Sequence, residues 1–124
     1  MAAAHARADD TWVRYSLPGT RMELTMRWLL AGTDGDQLLI KVETYLDGQL
    51  RSTKEIRRAP LKIPADARRE TIVAGGKKYE CQVFQQNGTT YWHSPDVPLL
   101  GIVRSQTGEH EVMEILDASP RPGR

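Results

Sequence analysis

Met22-Glu23-Leu24-Thr25-Met26-Arg27-Trp28-Leu29-Leu30 carries the reading of the fold. Apolar side chains recur at positions 22, 24, 26, 28 and 30. Glu23, Thr25 and Arg27 stand between them, and Leu29 alone breaks the alternation. A period of two marks a strand with one buried face, because successive side chains leave a strand on opposite sides. Residues 31–36, Ala-Gly-Thr-Asp-Gly-Asp, then read as a polar turn. Leu38, Ile40, Val42, Thr44 and Leu46 resume the period. Pairing Leu30 with Leu38 sets Trp28 opposite Ile40 and Met26 opposite Val42, so both apolar faces coincide.

Downstream, Asp47-Gly48 opens the next turn. A three-residue loop there sets Leu46 against Leu50 and Ile40 against Ile56, with Gly48 supplying positive φ near a bulge. Residues 59–66 hold Pro60 and Pro64, which cannot donate to a ladder, so a crossing loop or edge segment is expected. A single helical turn is expected over residues 65–70. Gly75-Gly76 and Asn87-Gly88 punctuate three strands, 70–74, 77–86 and 89–93. Two-residue loops pair Ile72 with Tyr79, Val83 with Trp92 and Cys81 with Ser94. Ile72, Tyr79, Cys81, Val83 and Trp92 then share one face, while Phe84 opposes Tyr91 and Gln82 opposes His93 on the other. Residues 94–98 break the pairing. Strands follow at 99–106 and 109–117, with Arg104 opposing Glu111. The expected fold class is all-β: one curved antiparallel meander sheet, an open or closed barrel, of eight to nine strands. Residues 1–10 read as a flexible N-terminal leader, 11–117 as a single domain and 118–124 as a tail.

Composition bounds what such a sheet can do. At 124 residues the chain suits one domain. Folding could bury about two thirds of its surface, enough for a core without staples. Charged residues make up 27% and hydrophobic ones 40%, which excludes a wholly disordered chain. No apolar run approaches a membrane span, so no transmembrane segment is expected. Seventeen basic residues balance sixteen acidic ones, which removes any global pull toward nucleic acid. Cys81 is the single cysteine, which excludes an intrachain disulfide and a multi-cysteine metal site.

Few residues suggest chemistry. His5, His93 and His110 are too scattered for a metal set. His93 with Asp96 could form a base pair at the proline break, and Cys81 with His93 a thiol and its base. The register puts Cys81 and His93 on opposite faces, which favours a packing role for the thiol. Asp34, Asp36 and Asp47 fit turn chemistry rather than a calcium loop. Neither catalysis, a metal nor a cofactor is expected. Arg51, Lys54, Arg57, Arg58, Lys62, Arg68 and Arg69 form the densest basic stretch. Without interleaved aromatics it is a poor reader of nucleic acid. Arg57, Arg58, Arg68 and Arg69 are its candidates for contacting a protein partner. Met22, Met26, Trp28, Val42, Tyr79 and Trp92 are candidates to line a pocket for an apolar small molecule or lipid on the concave face. They are otherwise simply core.

Residues 79–117 carry a further signal: Tyr79-Glu80-Cys81-Gln82-Val83, then Tyr91-Trp92-His93-Ser94-Pro95-Asp96-Val97-Pro98, then Gly101-Ile102-Val103-Arg104. The pattern resembles small bacterial domains similar to the LolA/LolB-like half-barrel group, in which a curved antiparallel sheet wraps an apolar cavity. The resemblance implies exported proteins, often lipoproteins, that carry or sense hydrophobic molecules. Two functions are therefore expected: a non-enzymatic module holding an apolar ligand, or an interaction subunit binding through a sheet edge or the basic loop 57–69.

Overall fold

The computed structural model describes residues 11–18, 23–109 and 111–119. The leader, Met22, His5, His110 and residues 120–124 lie outside them. Nine strands form one sheet: β1 (Trp12–Ser16), β2 (Leu24–Asp34), β3 (Gln37–Leu46), β4 (Gln49–Arg58), β5 (Arg68–Ala74), β6 (Lys77–Gln86), β7 (Thr89–His93), β8 (Ile102–Thr107) and β9 (Glu111–Ala118). Their order across the sheet is β4-β3-β2-β1-β9-β8-β7-β6-β5. The fold is all-β, antiparallel and open, and no helix interrupts the described residues.

Several registers differ from expectation, each for a local reason. β2 runs on through Asp34, so the turn shrinks to Gly35-Asp36. Leu30 then pairs with Ile40 and Trp28 with Val42, two residues from the expected register. A shift of two keeps every side chain on its own face. A bulge after Leu30 absorbs the extra residue near Gly32. At the next turn Leu46 pairs with Gln49 across two residues, not three. Asp47 and Gly48 both have positive φ, 49° and 81°, the geometry that matches strand twist. A bulge between Thr44 and Tyr45 restores Ile40 opposite Ile56, as expected.

Beyond β4 the expected helical turn is absent. Ala67 donates to the Pro64 carbonyl across a simple turn, and β5 begins at Arg68. The pairs Ile72–Tyr79, Val83–Trp92, Phe84–Tyr91 and Gln82–His93 stand as expected. Ser94 does not reach Cys81; its amide bonds the Gly101 carbonyl instead, closing a loop before β8. Arg104 opposes Glu114 rather than Glu111.

β1 was not expected as a strand, yet it joins the two halves of the sheet. Val13 and Tyr15 are buried and Arg14 is exposed, an alternation only five residues long. β1 pairs with β2 on one side and β9 on the other. Arg14 bonds Asp117 through Nε and Nη2 at 2.6 and 2.8 Å, and Ser119 exchanges hydrogen bonds with Trp12. β9 therefore extends through Ala118, past the expected start of the tail.

This topology also fixes how the two edges of the open sheet can be connected. Neighbouring strands are antiparallel throughout, β1 and β9 included. Counting outward from that central pair makes β4 and β5 run in the same direction. No hairpin can join two such edges. Residues 59–67 must instead return along the strands, a reach of about 30 Å. Pro60 and Pro64 withhold two ladder donors from that path. Leu61 from this connection packs on the core, which draws side chains from every strand.

Candidate functional site

Of the expected ligand-lining residues, Trp28, Val42, Tyr79 and Trp92 belong to one buried core, and Met22 lies outside the described residues. Trp28 is 7% exposed, Val42 3%, and Tyr79 and Trp92 9% each. Met26 is partly buried against them. Val13, Trp28 and Val42 form one cross-strand row. Tyr15 meets Trp28 edge-to-face at 5.3 Å and donates its hydroxyl to the Ile102 carbonyl at 2.7 Å. Trp92 donates Nε1 to Glu70 at 2.7 Å, while the Arg104 guanidinium lies 4.9 Å over its ring. Open grooves of about 610, 540 and 340 Å³ lie among the described residues. None is lined by Trp28, Val42 or Trp92, although Tyr79 borders the first and Met26 the second.

Cys81, His93 and Asp96 are the other chemical candidates. Cys81 is buried and points its thiol toward the Tyr79 carbonyl. Burial pushes that thiol up to about 11, the environment of a packing residue and not of a nucleophile. His93 pairs with Gln82 while Cys81 pairs with Glu70, which places them on opposite faces as expected. The His93 Nδ1 is buried without a hydrogen-bond partner. Among the described residues no group of three or more His, Cys, Asp or Glu could hold a metal ion.

The basic residues are distributed by the alternation of the edge strands. Arg57 and Arg58 are consecutive in β4, so they leave opposite faces, as do Arg68 and Arg69 in β5. Arg57 is engaged with Asp34 at 2.5 Å. Lys54, Ile56 and Arg58 pair with Val42, Ile40 and Leu38, which places them on the core side of the sheet. Arg68, Glu70 and Ile72 hold the matching positions on β5, opposite Val83, Cys81 and Tyr79. The core-side cations of the two edge strands are thus Lys54 and Arg58 on β4 and Arg68 on β5.

The feature that sequence reasoning did not single out is the β4 edge itself. Nine of its ten residues are exposed, and only Ile56 is partly covered. Leu50 on β4 is 53% exposed and Val73 on β5 is 65% exposed. An edge strand presents unpaired amides and carbonyls along its free side, a template for another strand. Polarity on both faces of residues 49–58 is the sequence signal for such an edge. Compared with models of protein families and with curated proteins, the chain matches none.

Proposed function

We propose that this protein is a non-enzymatic binding module that captures an extended segment of a partner protein along the free edge of β4. One observation carries the reading: a ten-residue strand, hydrogen-bonded to β3 on one side, is exposed along nearly its whole length. Strand addition supplies main-chain hydrogen bonds for affinity and alternate side chains for selectivity. The strand is long enough to offer both. Amide spectra of the labelled protein recorded with extended peptides test it. Shifts and slowed exchange confined to residues 49–58 are expected; a panel that leaves those amides unchanged refutes the proposal.

A second reading keeps the apolar ligand, a small molecule or lipid among Met26, Trp28, Val42, Tyr79 and Trp92. Its support is that the core is not sealed at the seam, where Ile56, Leu61 and Ile72 remain partly exposed. The resemblance to LolA/LolB-like half-barrels points the same way. Entry requires those side chains to part. Palmitate that shifts the Trp28 and Trp92 indole signals, leaving β4 unmoved, would favour this reading over the first.

A further inference from the structure

Resting on the edge-binding reading above, we infer that the partner segment is acidic, with two carboxylates flanking one apolar residue at alternate positions. The pattern follows from β4. Its strand carries Arg51, Lys54, Arg57 and Arg58 against Glu55 alone. Arg57 is matched by Asp34. On the core-side face the sequence of side chains is Lys54, Ile56, Arg58, two exposed cations around a half-buried isoleucine. A strand laid against this edge places its own alternate residues beside these three, within reach of cross-strand pairing. The complementary order is acid, apolar, acid.

A second copy of the chain does not meet the requirement. Pairing β4 with β4 so that Ile56 meets Ile56 sets Lys54 against Arg58 on the core-side face if the strands are antiparallel, and each cation against its own copy if they are parallel, which is unfavourable there. Charge on an edge keeps it from pairing with its own kind. It does not keep off a strand of opposite sign. The inner order of the pattern is the same read in either direction, so the charges select composition and leave orientation to the backbone.

Three peptides decide the matter: TTETVTETT, TTQTVTQTT and TTKTVTKTT, each capped at both ends and titrated into the labelled full chain. Two exposed cross-strand ion pairs predict about two- to thirtyfold tighter binding of the glutamate peptide than of the glutamine peptide. That advantage shrinks between about 50 and 500 mM salt, where the screening length falls several-fold. The Lys54→Glu/Arg58→Glu double variant is expected to prefer the lysine peptide. Because both side chains are exposed, its fold should survive, and Lys54→Gln/Arg58→Gln gives a milder check of lost preference. Equal binding of all three peptides, with shifts still confined to β4, overturns the acidic partner but leaves edge capture standing. Shifts on β5 alone overturn the assignment to β4. No binding by any peptide overturns both.

Discussion

Among the described residues, His93 is the one histidine, and its burial makes the fold respond to pH near neutrality. Burial holds its imidazole below the usual value, and its Nδ1 has no hydrogen-bond partner. The folded protein therefore favours the neutral ring. Below about pH 6.5 the unfolded chain takes up a proton that the folded state resists. Stability is full above that point and falls as pH drops toward the lower folded value. Thermal unfolding between about pH 7.5 and 5.5 should show this loss in the natural protein and much less of it in His93→Gln. Glu43 acts at more acid pH. Burial pushes its carboxyl up, but hydrogen bonds from Arg27 and Tyr45 outweigh this and hold it low. Its contribution is present above the usual carboxylate range and is lost as pH falls through the depressed value. Glycines offer a controlled comparison. Gly75 and Gly76 both have positive φ, but a Cβ on Gly75 would strike the Leu116 carbonyl, whereas one on Gly76 meets nothing within 4 Å. Gly76→Ala should cost about 1 kcal/mol from backbone strain. Gly75→Ala should cost more, by a further 1 kcal/mol or roughly that, read from denaturant midpoints.

Among the strands, β1 and β4 are opposites. β1 is short, central and paired on both sides, with Val13 and Tyr15 almost wholly buried. β4 is twice as long, paired on one side and exposed. Amide exchange should rank them against their lengths: slow for Val13 and Tyr15, fast for the free-edge amides of β4. Side chains of β1 should differ as sharply. Tyr15→Ala removes a buried ring and is expected to cost about 3–5 kcal/mol. Arg14→Ala breaks an ion pair whose partners are about half exposed, 48% and 47%. Exposed pairs contribute about 0.2–1 kcal/mol, so the melting temperature should barely move.

The sheet as a single body depends on that central strand. Without β1, β2 and β9 become two new edges, and the row joining Val13, Trp28 and Val42 loses one end. A chain lacking residues 1–16 should lose cooperative unfolding and show Trp28 emission shifted toward that of exposed indole, as near-ultraviolet dichroism and fluorescence would report. The same topology places the functional proposal. β4 and β5 end the sheet without pairing to each other, so the molecule keeps two free edges, and the more exposed of them carries Lys54, Ile56 and Arg58 on its core side.

Alternation and turn chemistry made most strands readable in advance. Both are local: a period of two needs only neighbouring residues, and Gly75-Gly76 or Asn87-Gly88 reverses the chain wherever it stands. Registers were readable where an apolar face constrains them, as with Val83 and Trp92 or, two residues off, Trp28 and Val42; they slipped by odd numbers where the pattern is weak, as with Leu46 and Gln49 or Arg104 and Glu114. The core was legible as well, because Trp28, Val42, Tyr79 and Trp92 alternate with polar residues. What could not be read was the company each strand keeps. β1 is defined by contacts with β9 about a hundred residues away, and five residues carry too little pattern to announce that. The free edge of β4 likewise follows from the order in which distant strands pair, β1 with β9 among them, and pairing between distant segments is a property of the folded chain, not of any stretch of it.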